Sequence, residues 1–149
     1  MRTVFKTETV VPKRALHTHI PFGFEIKEGG EKLFVAYSYA PKRYSGADAE
    51  NLAYEAFLRA YPSDEKIEKA AVLGTLPLNN HITLSLEKDG AVVGTAHRHS
   101  PDNLFEITGE YASPGFFPTP VTPGKYTIVL SVHAILDEEV SVRMEAKVE

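Results

Sequence analysis

Apolar and polar residues alternate with a period of two along most of this chain, and each such run predicts a strand. Residues 3–11 are rich in β-branched side chains and stop at Pro12, which offers a neighbour no N–H, so they read as an edge strand. Residues 17–26 and 33–39 are extended too, with the polar turn Lys27-Glu28-Gly29-Gly30-Glu31 between them; Leu33, Val35, Tyr37 and Tyr39 share one face. Residues 81–86 put Ile82, Leu84 and Leu86 inward and His81, Thr83 and Ser85 outward, and Asp89-Gly90 then predicts a tight hairpin into residues 91–97. Residues 104–108 form a short strand. Residues 126–133 gather Tyr126, Ile128, Leu130 and Val132 on one face, and residues 140–148 gather Val140, Val142, Met144, Ala146 and Val148, with a turn over residues 136–139 between the two.

Two stretches break the alternation. Residues 41–78 carry the helical spacing: Ala49, Leu52, Ala53, Ala56, Phe57 and Ala60 recur on one face, widened by Tyr54, Leu58 and Tyr61. Ser45 with Asp48 three residues on marks a start and Pro62 a stop, while Ser63-Asp64-Glu65 would cap a shorter helix through Ala71. An amphipathic helix usually serves its own domain, so this face is expected to cover an end of a sheet in preference to making a dimer contact. Residues 110–125 hold Pro114, Pro118, Pro120 and Pro123, which rules out a helix or a central strand and predicts a stiff, ordered loop. Pro123-Gly124 suits the centre of a type II turn.

Short half-apolar strands with one helical excursion predict a mainly β fold. It is an antiparallel, jelly-roll-like β-sandwich of about eight strands, a single domain over residues 1–149 with a helical insertion at about 45–72. Composition narrows the function classes. Lys plus Arg number 16 against 20 Asp plus Glu, a net charge of −4, which leaves no positive excess for a phosphate backbone, so nucleic acid is not an expected partner. There is no cysteine, no signal-peptide pattern and no run long enough for a membrane span, so the expected location is the cytoplasm with no membrane partner.

Several short motifs, in order, resemble a known domain. They are Asn80-His81-Ile82-Thr83-Leu84-Ser85-Leu86, Gly94-Thr95-Ala96-His97-Arg98, Tyr111-Ala112-Ser113-Pro114-Gly115-Phe116-Phe117-Pro118, Pro123-Gly124-Lys125-Tyr126 and Leu130-Ser131-Val132-His133. Together they resemble the N-terminal β-sandwich of CehA/McbA-type metallohydrolases of the polymerase and histidinol phosphatase superfamily. In that family a separate C-terminal domain holds the metal, starting from an Asp-x-His-x-His type motif. Here Leu16-His17-Thr18-His19 supplies two histidines but Ala15 stands where the acid would be, and 149 residues leave no room for the catalytic barrel. The resemblance therefore implies the accessory domain without its enzyme, with a protein partner, a second copy of itself or a small ligand to contact, and with no catalytic residues and no cofactor.

The candidate ligand contacts are His97, Arg98, His99, Tyr111, Phe116, Phe117 and His133. His97 and His99 are two apart and so share a face when extended, and Glu106, Glu110 or His133 could complete a ligand set as in a cupin-like metal enzyme. The cupin spacing is not matched, and solvated or core-satisfied histidines are the plainer reading; that reading also covers His17 and His19. The outcome turns on whether His97, His99 and His133 converge on one point. Arg98 between two histidines suggests a cationic spot for a carboxylate or phosphate, or else pairing with Asp102 or Glu106. Tyr111, Phe116 and Phe117 suggest a stacking platform for a sugar or peptide, against the preferred reading in which Phe116 and Phe117 plug one end of the sandwich.

Overall fold

The computed structural model describes residues 1–62 and 67–149. Its strands are β1 (Arg2–Pro12), β2 (His19–Ile26), β3 (Lys32–Ala40), β4 (His81–Lys88), β5 (Ala91–Ala96), β6 (Asp102–Thr108), β7 (Gly124–Ala134) and β8 (Glu139–Val148), with helices α1 (Ala49–Ala60) and α2 (Lys69–Leu73) between β3 and β4. They form two antiparallel sheets, β1-β8-β3-β6 and β2-β7-β4-β5. Pairings nest about the β4–β5 hairpin, β1 with β8, β2 with β7, β3 with β6, as though one long hairpin had been wound into both sheets. The fold is the mainly β antiparallel sandwich that the alternation predicts.

The core lies between the sheets and is lined by the predicted inward faces. Leu33, Val35 and Tyr37 of β3 and Val140, Val142 and Met144 of β8 meet Ile82, Leu84 and Leu86 of β4 and Tyr126, Ile128 and Leu130 of β7, all nearly inaccessible. Each buried Leu, Ile or Val contributes about 1.5–3 kcal/mol relative to exposure. Tyr37 stacks on Phe105 at 6.1 Å between ring centroids, and burial with the neighbouring Tyr39 charge pushes its phenol up to about 12. Asn80, fully buried at the start of β4, ties the insertion to the β7–β8 turn. Its Nδ2 donates to the Pro41 carbonyl (2.9 Å) and to Asp137 Oδ2 (2.7 Å), and its Oδ1 accepts from the Leu136 N–H (2.7 Å).

Three local expectations are corrected. The helical insertion does not cover the core: α1 packs chiefly against α2, burying Ala53 and Val72 while Tyr54, Leu58 and Tyr61 stay exposed. The two sheets already close the core with their own faces. Asp48 stands at the N-terminus of α1 in place of Ser45 and makes no capping bond, because its carboxylate accepts from the Tyr44 hydroxyl (2.5 Å). The cap expected at Ser63-Asp64-Glu65 lies outside the described residues. Pro123-Gly124 is not a type II turn either: Gly124 has φ 158, not the value near 80 that such a turn needs, and opens β7.

The proline-rich loop is ordered because it is bonded to two strands. The Thr95 N–H donates to the Gly115 carbonyl (2.9 Å) and the Phe117 N–H to the Val93 carbonyl (2.8 Å), which covers the open edge of β5. On β6, the Ser113 N–H donates to the Glu106 carbonyl (2.8 Å) and the Thr108 N–H to the Tyr111 carbonyl (2.7 Å). This approach needs two glycines: a Cβ on Gly94 would run into the backbone of Gly115 and Phe116, and Gly115 has φ 97 against the Thr95 carbonyl.

Candidate binding surface

Alternation turns every second residue of β2, β7, β4 and β5 away from the core, and at one end of that sheet these residues are histidines and hydroxyls. The registers set His19 against Ser131, Ser131 against Thr83, and Leu84 against Ala96, which places His97 next in line beside Thr83. One step on, a β-bulge intervenes: Ile82 faces Val132 but His81 faces Ala134, so His133 is an extra residue on β7. The bulge brings its ring over its neighbours.

The imidazoles pack on each other. His81 and His99 stack at 4.8 Å between centroids with their planes 18° apart, His97 and His133 are at 5.0 Å, His81 and His133 at 5.3 Å, and His81 and His97 at 6.5 Å. His133 Nε2 is hydrogen-bonded to Thr83 Oγ1 (2.8 Å) and His19 Nδ1 to Ser131 Oγ (2.8 Å). His17 is held beside them in a left-handed conformation (φ 62), its N–H donating to the Val132 carbonyl (2.9 Å). All six histidines of the chain thus gather at one end of one sheet face.

Their electrostatics follow from this crowding. His81 is pushed down to about 4, first by burial and then by Lys42, His99, His133 and His97, and its buried Nδ1 has no hydrogen-bond partner. His133 is held below the usual imidazole range by burial and then by His97, His19 and His17. Every group named here opposes protonation, and none is a carboxylate. The Lys42 ammonium donates to the Tyr39 hydroxyl and the Asn80 carbonyl, both at 2.9 Å. At neutral pH His81 therefore offers a neutral ring.

Of the residues singled out from sequence, the structure unites His97, His99 and His133 and separates the rest. As the side chains stand, no group of three or more His, Asp or Glu among the described residues is arranged to hold a metal ion, so the convergence required of a cupin-like centre is not met. Arg98 points away from its flanking histidines. Its Cζ lies 4.8 Å from the centroid of the Phe105 ring and its Nη2 donates to the Pro114 carbonyl (3.3 Å), so the predicted three-residue cationic spot is split across two sides of the segment after β5. Phe116 is 8% exposed and packs on Phe105 at 4.9 Å, a plug, whereas Phe117 is 68% exposed and Tyr111 54%. Phe116 therefore belongs to no stacking platform. Sequence reasoning missed His81 as a site residue, although its outward parity beside Thr83 and the hairpin pairing toward His97 were the available signal.

An open groove of about 900 Å³ lies elsewhere, on the outer face of β1-β8-β3-β6. Its walls include Lys6, Glu8, Arg143 and Glu145, which pair with one another, Lys6 to Glu145 at 3.7 Å and Arg143 to Glu8 at 3.3 Å. Its charged wall is a solvated, ion-paired strand face.

No family model matches the chain, and no curated protein is similar to it. Among solved structures, the crystal structure of GEBA250068378 from Sulfurospirillum deleyianum is similar over 94% of this chain and 96% of that one, at 11% identity and a TM-score of 0.36. No helix among the described residues is long and apolar enough to cross a membrane.

Proposed function

We propose that this chain is a non-catalytic binding or accessory module, a sandwich wound as a jelly roll, whose contact surface is the histidine-bearing end of the β2-β7-β4-β5 face. The observation that carries the reading is the ring packing of His81, His97, His99 and His133 around a buried ring nitrogen without a partner. Buried polar atoms are nearly always satisfied, and an exception concentrated with titratable groups is characteristic of a functional site. The sequence resemblance to the sandwich that precedes a metallohydrolase domain supports an accessory role in the cytoplasm, toward a protein partner, a second copy or a small ligand.

A second reading has an observation of its own. Tyr111 and Phe117 are exposed on a proline-stiffened loop, as a sugar-stacking site requires. Amide chemical-shift mapping with a panel of small anions, sugars and short peptides separates the two. The histidine-face reading expects responding amides to centre on residues 81–83, 97–99 and 131–133; responses confined to residues 111–117 would transfer the function to the loop.

A further inference from the structure

Six imidazoles and the Lys42 ammonium meet at one end of a sheet, and no carboxylate is among the groups that act on His81 and His133. Asp137, the acid tied to Asn80 at that end, already accepts a hydrogen bond from Asn80 Nδ2. Two hydroxyls, Thr83 and Ser131, lie between the rings and bond to His133 and His19. We infer that this end is an acid-gated site for a tetrahedral oxyanion of the phosphate class, free or as a monoester.

Charge balance and donor geometry favour an anion at this end. An ordinary imidazole takes a proton near pH 6.5, and in a cluster with rings 4.8–6.5 Å apart each added proton raises the cost of the next. Where carboxylates are interspersed, an imidazolium is neutralised within the protein. Here no carboxylate acts on His81 or His133, so charge gained around them is met by solvent or by a bound anion. An oxyanion with acceptors in several directions meets N–H donors arriving from β4, β7 and the segment after β5, while the buried Thr83 and Ser131 hydroxyls hold the His133 and His19 rings from beneath. A metal cation is opposed by Lys42 beside His81 and by the ring arrangement already described. Arg98, on the same segment as His97 and His99, is turned to Phe105 and takes no part.

The inference rests on the histidine face being the binding surface, and its test keeps the two apart. Titrate inorganic phosphate, and separately phenyl phosphate, into the protein at pH 5.5 and pH 7.5 at fixed ionic strength, following the imidazole and amide signals by NMR. The expected result is saturable binding at pH 5.5, at least about tenfold weaker at pH 7.5, and lost in His97→Gln/His133→Gln. Response to phenyl phosphate alone would identify a monoester site; response to both, a site for the phosphate group itself. Two results would overturn the inference: binding equal at both pH values, or acidification that loosens residues 97–101 in hydrogen exchange while phosphate leaves that exchange unchanged. If phosphate fails but other panel compounds still shift residues 81–83 and 131–133, the ligand class falls and the surface stands; if nothing shifts them, both fall. Should the double variant not fold, His99→Gln alone is expected to weaken phosphate at pH 5.5 by about threefold or more, and no change there counts against the site.

Discussion

The outer faces of the two sheets obey the same strand alternation and carry opposite chemistry. On β1-β8-β3-β6 the outward residues of β1 and β8 include Lys6, Glu8, Arg143, Glu145 and Lys147, joined by ion pairs such as Lys147 with Glu145 at 3.1 Å, beside the exposed Leu104 of β6. At one end of β2-β7-β4-β5 they are imidazoles and hydroxyls, with His81 half-buried and its Nδ1 unpaired while His97, His99 and His133 pack beside it at the surface. The first face meets water chiefly through charges of both signs on β1 and β8, and each pair contributes about 0–1 kcal/mol. The second carries a cost that solubility does not demand. Such local conflicts are where a fold has been bent toward function.

The edges differ in the same sense, and there the largest effect is expected. The β5 edge beside the histidines is covered by the proline-rich loop through Gly94 and Gly115, whereas β1 on the other sheet keeps a charged edge. Gly94→Val pushes that loop off β5 and should cost roughly 3 kcal/mol or more, a fall in Tm of about 6–12 °C by calorimetry. A fall under about 2 °C would mean the loop is not anchored there.

Acid should then distinguish the faces through His81. Its ring is pushed down to about 4 from 6.5, so between those values the unfolded chain binds the extra proton and stability drops as pH falls. The stability is present above about pH 6.5 and lost on the way to pH 4. Allowing for solvent screening of a partly exposed ring, the drop in denaturant-derived stability should be about 1 kcal/mol larger for the wild type than for His81→Asn. Equal drops would remove His81 from the account. The smallest effect belongs to the ion-paired face, where Arg143→Ala, which breaks the 3.3 Å pair with Glu8, should change stability by less than about 0.5 kcal/mol.

The strands were legible because alternation is a local property. Ile82, Leu84 and Leu86 needed only their own spacing to face the core, and Asp89-Gly90, both with positive φ (50 and 82), only their own turn chemistry. The site was half legible. His97 and His99 share a face by parity alone, but their meeting with His81 and His133 depends on a strand order and a bulge that join residues 50 and 52 positions apart, and no local pattern encodes a bulge. Arg98 and the helical insertion were misread for a related reason. Whether a cation pairs with an acid or lies on Phe105, and whether an apolar helix face meets a sheet or a second helix, is decided by tertiary neighbours.

The central claim is that His81 and His133 are coupled to the histidines packed around them, with no carboxylate among the groups that act on either, and long-range proton–nitrogen NMR of the imidazole rings across pH 4 to 8 tests it most directly. The account predicts that His81 stays neutral until about pH 4 and that the His133 titration shifts upward when His97 is changed to Gln. His81 and His133 titrating independently near pH 6.5, unmoved by that substitution, would contradict it.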